Sequence, residues 1–195
     1  MTATTAETTG PTLRELQAPL KARYEADPES AKLTLAVRSV TEGSDPTRCR
    51  ISTVPGDGGE PVVWDGAAHP YAGGPGDMAC SGDLLLASLA ACQEITLRMV
   101  ASAMGIGLKR VELTVEGDMD FRGTMGIDAE TPVGFTAIRS AVRLDPEGEV
   151  PPERLEKLRQ RAERYCVVGA TLRHSPSLEL TFDAESAAPG EEVSA

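Results

Sequence analysis

Ser81-Gly82-Asp83-Leu84-Leu85-Leu86-Ala87-Ser88-Leu89-Ala90-Ala91-Cys92-Gln93-Glu94-Ile95-Thr96-Leu97-Arg98-Met99-Val100 is the stretch on which the fold turns. Leu and Ala dominate it, no Pro interrupts it, and Gly105 stands where a helix would stop. Ser81 offers an N-cap hydroxyl. Asp83 places negative charge in the first turn, where unpaired N–H groups and the helix dipole favour it. Between Leu84 and Cys92 only Ser88 is polar, so the pattern predicts a helix buried on nearly every side. Gln93, Glu94 and Arg98 interrupt the apolar run short of the roughly 20 residues a membrane span needs. A cysteine, Cys92, therefore sits midway along a buried helix.

Working outward, the 195-residue chain is long enough for one domain with a real core. Its hydrophobic fraction of 41% and charged fraction of 25% predict a soluble globular protein. Aromatics at 4% predict an aliphatic core with little to stack on bases. A net charge of −11 argues against nucleic acid and against an anionic membrane surface, both of which need clustered Lys and Arg. No basic segment followed by an apolar run opens the sequence, so the cytoplasm is the expected compartment. The four cysteines, Cys49, Cys80, Cys92 and Cys166, contain no Cys-x-x-Cys, and His69 and His174 stand alone. Zinc-type spacing is absent, and neither metal nor other cofactor is expected.

Residues 1–12 are Thr- and Ala-rich without periodicity and are expected to be a disordered tail, as is the acidic segment 184–195. A single domain is expected over 13–183. Leu13, Leu16 and Leu20 share a helix face despite Pro19. Lys32 to Val40 and Arg48 to Val54 alternate as a hairpin, followed by a short strand at Pro61 to Trp64. His69 to Cys80 is a Gly/Pro-rich loop running into the long helix. Arg110 to Gly117 and Phe135 to Leu144 alternate as two further strands. Pro152 opens a second helix that ends at Tyr165-Cys166-Val167-Val168-Gly169, and Ser177 to Phe182 is a last strand. The order predicts an α+β fold of antiparallel sheet packed on helices. A central helix apolar on all sides needs more cover than one such chain supplies, which points to a homodimer.

Two cysteines on or beside helices, Cys92 and Cys166, form a candidate dithiol. Taken singly, each cysteine reads as a small buried apolar residue. Reactivity needs a thiolate, and burial opposes it, so Cys92 would have to borrow a cation. Arg38, Arg48 and Arg50 on the first hairpin and Arg98 on the same helix are the candidates. With one of them beside it, Cys92 could attack a peroxide oxygen, and Cys166 could condense with the resulting sulfenic acid. Apolar walls would favour an organic hydroperoxide. Cys49 reads as a strand core residue, Cys80 as incidental or an alternative thiol, and His69 as a loop residue. Asp118, Asp120 and Asp128 read as a solvated hairpin.

The segment Gly82 to Met99 resembles the central helix of the OsmC/Ohr family, and Ala162-Glu163-Arg164-Tyr165-Cys166-Val167-Val168-Gly169-Ala170-Thr171-Leu172 resembles that family's second-cysteine segment. The resemblance spans about Leu33 to Phe182. It implies an intertwined homodimer with antiparallel sheets wrapped around two central helices. It also implies thiol-dependent reduction of organic hydroperoxides in oxidative-stress defence, with electrons from a dihydrolipoyl or other dithiol donor. Cys92 would then be the peroxidatic residue and Cys166 the resolving one. Asp83 is the nearest match to the family's acidic residue at the start of the cysteine helix, one carbon shorter than Glu and slightly displaced. The activating Arg falls to Arg38, Arg48 or Arg50, none in a recognisable motif, and Val167 stands where Pro commonly follows the second cysteine. A non-catalytic small-molecule-binding or redox-sensing protein on the same scaffold is the alternative.

Overall fold

The computed structural model describes residues 10–56 and 58–183. The acidic tail at 184–195 and all but the last three residues of the expected N-terminal tail lie outside the described residues. Helix α1 (Leu13–Ala26) is closed by a capping box: the Glu15 N–H donates to Thr12 Oγ1 and the Thr12 N–H donates back to Glu15 Oε2. Pro19 lies inside α1, and none of its residues is buried. Strands β1 (Val37–Ser39), β2 (Arg48–Thr53) and β3 (Val63–Ala67) form an antiparallel sheet in that order, with Arg38 opposite Ser52 and Arg50 opposite Asp65. Strands β4 (Leu108–Asp118) and β5 (Ala137–Pro146) form a long antiparallel ribbon with Val111 opposite Leu144 and Leu113 opposite Val142.

In chain order α2 (Ser81–Ala103), the helix anticipated from the apolar stretch, comes between the two sheets. Its N-cap is Cys80 rather than Ser81. The Asp83 carboxylate accepts the Cys80 N–H at 2.9 Å, which closes the first turn and holds the carboxyl below its usual range. At the other end Arg154 donates to the free Met104 carbonyl at 2.5 Å. α2 packs on β4, α4 (Pro152–Tyr165) and α5 (Val167–Arg173). The core lies there, built from Leu97, Ala101, Ile106, Val111, Leu158 and Ala162, with Leu158 wholly buried. A four-residue helix, α3 (Phe121–Thr124), sits in the β4–β5 connection.

Three expectations change. α2 is not buried on all sides within one chain: only Leu89, Leu97 and Ala101 are buried, while Leu85, Ile95 and Met99 are exposed. One ribbon and two short helices cover one face of a helix and no more. By length and composition alone α2, 23 residues with a mean hydropathy of 1.5 in its most apolar window, meets the requirement for a membrane span, so its length does not exclude one. Its packing on a ribbon and two helices places it as the central helix of a folded domain. Lastly, Lys32 to Val40 pairs only over Val37–Ser39, and Ser177 to Phe182 forms no ladder. Leu33 and Leu35 are more than four-fifths exposed and Leu178, Leu180 and Phe182 about nine-tenths or more. Alternation supplies a strand's face, but a strand also needs a neighbour to bond with, and among the described residues 32–35 and 177–182 have none.

Candidate active site

Cys166 occupies the break between α4 and α5, with φ −72° and ψ 106°. It ends the first helix and caps the second. Its sulfur accepts the Gly169 N–H at 3.3 Å, in the place where a Ser or Asp oxygen usually sits. Side chain and backbone here are only 2% exposed. Gly169 makes this approach feasible: a Cβ at that position would stand 3.2 Å from Cys166 Sγ and 3.7 Å from Arg173 Nη1.

The half-buried Cys92 side chain reaches the same turn from α2 and meets the Cys166 thiol. Burial pushes the pKa of Cys92 up, but the Val168 N–H, the Cys166 thiol, the Thr96 hydroxyl and the Val167 N–H together outweigh it, so the thiol's pKa is held below its ordinary value. Cys166 moves the other way. Burial pushes it up, the Gly169 N–H opposes that, the Cys92 side chain adds to it, and the Arg173 charge partly offsets it. One thiol is primed to ionise and its neighbour to stay protonated. The backbone amides of α5 thus take much of the role that sequence reasoning reserved for an arginine.

Beside Cys166 a cavity of about 480 Å³ opens between α2, β4, β5, α4 and α5. Leu97, Val142, Leu144 and Leu155 make its apolar wall. Gln93 also lines it, and its side-chain oxygen is buried without a hydrogen-bond partner. At the rim Glu163 joins two guanidinium groups, Arg159 at 3.0 Å and Arg173 at 3.0 Å. Arg159 is further held by Glu156 at 2.7 Å.

Of the residues singled out from the sequence, the fold brings Cys92 and Cys166 together. Asp83 is engaged as the α2 cap. Arg48 pairs with Asp77 at 2.8 Å and Asp45 at 3.3 Å, Arg50 pairs with Asp65 at 3.2 Å, and Arg38 stands on β1. Arg98 pairs with Glu94 at 2.9 Å. None of these five is among the groups that set the acidity of Cys92 in the single chain. Cys49 lies against Gly66, His69 accepts the Tyr71 N–H and stacks on Phe121, and the hairpin acids Asp118 and Asp120 are held by Arg139 and Arg122. Sequence reasoning missed α5, Gln93, Glu163 and Arg173. Val167, Val168 and Gly169 are poor helix formers and read as a helix end. The available signal was Cys166 as a cap, with Gly169 three residues on and Arg173 one turn further.

The fold and its paired thiols define a class of small α+β proteins with a cysteine helix crossing antiparallel sheet. The profile of the family described as OsmC-like protein matches residues 74–181, and the chain belongs to that family. Solved structures similar to it include an OsmC-like protein from Mycoplasma pneumoniae (15% identity, TM-score 0.55, covering 74% of this chain and 90% of that one). An organic hydroperoxide resistance protein OsmC from Legionella pneumophila is 22% identical with TM-score 0.51, covering 73% and 90%. An organic hydroperoxide resistance protein from Elizabethkingia anophelis is 17% identical with TM-score 0.51, covering 74% and 91%. At these identities the likeness establishes the shared fold. No curated protein matches the chain.

Proposed function

We propose that this protein is a homodimeric, cytoplasmic thiol peroxidase that reduces organic hydroperoxides. The observation that carries the reading is the inequality of two touching thiols: Cys92 held toward thiolate, Cys166 held toward thiol. The Cys92 thiolate attacks the terminal oxygen of the hydroperoxide. The O–O bond breaks, the alkoxide takes a proton and leaves as alcohol, and Cys92 becomes a sulfenic acid. The Cys166 sulfur then attacks that sulfur, the Cys166 proton and the sulfenic hydroxyl leave as water, and a Cys92–Cys166 disulfide forms. A dihydrolipoyl group or another dithiol restores both thiols. The names of the similar proteins, which speak of organic hydroperoxide resistance, support the substrate class.

The dimer is supported by what one chain leaves uncovered. The exposed stripe of α2 and the unpaired segments around Leu35 and Leu180 together offer a helix face and two strands to a second copy. Two central helices wrapped by exchanged strands would satisfy all three. By the family resemblance Asp83 would be the acidic residue of the site and one of Arg38, Arg48 and Arg50 its activating guanidinium. A redox-sensing protein on the same scaffold is favoured by one observation, that no guanidinium is among the largest influences on Cys92 in the single chain. Cumene hydroperoxide consumption with a dithiol reductant decides between them. Turnover by the wild type, lost in Cys92→Ser and impaired in Cys166→Ser, supports the peroxidase; disulfide formation without turnover supports the sensor.

A further inference from the structure

The guanidinium of Arg173 and the sulfur of Cys166 flank the same glycine. A Cβ on Gly169 would stand 3.7 Å from Arg173 Nη1 and 3.2 Å from Cys166 Sγ, and its absence leaves no side chain between them at that position. Cys166 is buried, where charge on sulfur is costly, yet a resolving thiol must carry that charge to attack. We infer that Arg173 serves this step as a positioning residue: held by Glu163, its guanidinium supplies the positive charge that lets the Cys166 sulfur attack oxidised Cys92. The inference rests on the reading of Cys166 as the resolving thiol and adds the group that activates it.

Arg173 lies one turn beyond Gly169 on α5, and helical side chains lean toward the N-terminus, so its guanidinium comes back beside the first turn. The two ends of that group are divided. Nη2 donates to Glu163 Oε1 at 3.0 Å, which fixes it to α4, while Nη1 is the end beside Gly169. Glu163 Oε2 accepts from Arg159 at 3.0 Å, so the carboxylate that holds Arg173 is shared with a second guanidinium and does not cancel the Arg173 charge. The charged side chains lining the cavity beside Cys166 are Arg159, Glu163 and Arg173. From α2 comes the Cys92 thiol, and β4 and β5 contribute no charge to that lining. Of the three, Arg173 is the one among the largest influences on Cys166.

The arrangement sets an order of events. In the reduced pair the Cys92 side chain pushes Cys166 toward its protonated form. A hydroperoxide converts the Cys92 thiolate to a neutral sulfenic acid, and the repulsion from that charge ends. Burial still opposes ionisation of Cys166, while the Gly169 N–H and the Arg173 charge favour it. The Cys166 thiol gives up its proton, its sulfur bonds to Cys92 Sγ, the S–O bond breaks, and the sulfenic hydroxyl leaves with a proton as water. Across the two steps the thiol pair loses two electrons to the hydroperoxide, which becomes an alcohol and water.

Mass-resolved iodoacetamide labelling of the reduced full-length protein against pH isolates the charge effect from peroxide chemistry. Arg173 is nearly half exposed, so solvent screening keeps the effect small. Arg173→Gln is expected to raise the Cys166 midpoint by about half a pH unit, which leaves about threefold less thiolate below it. The Cys92 midpoint is expected to stay in place. Diamide-driven disulfide closure, in which Cys166 attacks the diamide adduct of Cys92, is expected to slow about threefold. Arg173→Lys restores part of both effects. A mere tether between α4 and α5 gives the opposite signature: its loss exposes Cys166 and lowers that midpoint, and withdraws the α5 amides from Cys92 and raises the other. That pattern, an unmoved Cys166 midpoint, or a Lys variant no better than Gln overturns the inference. Hydroperoxide consumption is scored separately. Turnover with an unmoved Cys166 midpoint keeps the peroxidase and removes Arg173 from it; a raised midpoint without turnover removes the peroxidase reading and leaves Arg173 acting on Cys166.

Discussion

The thiols of Cys92 and Cys166 meet at the first turn of α5, and meeting there makes them unequal. Cys92 receives the Val167 and Val168 amides, while Cys166 is buried and faces a neighbour inclined to carry charge. The functional reading rests on this asymmetry, and it can be measured.

Alkylation against pH reads it directly. A lowered pKa means more thiolate at any given pH below it, so the iodoacetamide midpoint of Cys92 is expected below the ordinary value of about 8.5. That of Cys166 is expected above it. Cys166→Ala removes one of the contacts that favours the Cys92 thiolate and should move the Cys92 midpoint upward. Mass-resolved labelling of each peptide checks both, and identical midpoints for the two cysteines would contradict the asymmetry.

Gly169 leaves little room. Its missing Cβ is 3.2 Å from Cys166 Sγ, so Gly169→Ala forces the sulfur to shift by a few tenths of an ångström and Gly169→Val forces more. Overpacking of this kind costs about 1–3 kcal/mol. Val is expected to destabilise more than Ala and to slow diamide-driven disulfide formation. Urea denaturation and non-reducing electrophoresis measure the two effects.

Leu158 is the anchor of the core between α2 and α4, with no exposed surface. Leu158→Ala is expected to cost about 2–5 kcal/mol in urea denaturation. A loss under 1 kcal/mol would mean that α4 does not pack as described.

Asp83 closes the first turn of α2 through the Cys80 N–H. Asp83→Ala should lower stability by about 1 kcal/mol. Its carboxyl is held low in the folded chain, so its contribution is full above the ordinary carboxylate range and fades as pH falls through the lowered value. The stability gap between wild type and Asp83→Ala should therefore close in acid and persist at neutral pH.

The unpaired segments test the dimer. Leu35→Lys and Leu180→Lys each place charge on an alternating strand face that lies open in one chain. Light scattering is expected to show a dimer for the wild type and a weakened one for the double variant. A monomeric wild type would remove the dimer proposal.

Much of this architecture was legible residue by residue. The Leu/Ala run with an acidic residue in its first turn specified α2, although the cap fell on Cys80 rather than Ser81, because helix formation depends on neighbours three or four positions away. Alternation specified β2, β4 and β5, and Pro152 marked the start of α4. Two cysteines in helix contexts indicated a dithiol. Tertiary structure alone decided that Cys166 caps a further helix, that the amides of that helix act on Cys92 within the chain, and that Gln93 and Arg173 line a cavity beside the second thiol. It also decided that, among the described residues, the segment 177–182 and the first half of 32–40 stay unpaired. Helices close their hydrogen bonds locally and so can be read locally; a thiol's acidity and a strand's pairing depend on groups distant in sequence, and only the folded chain brings those together.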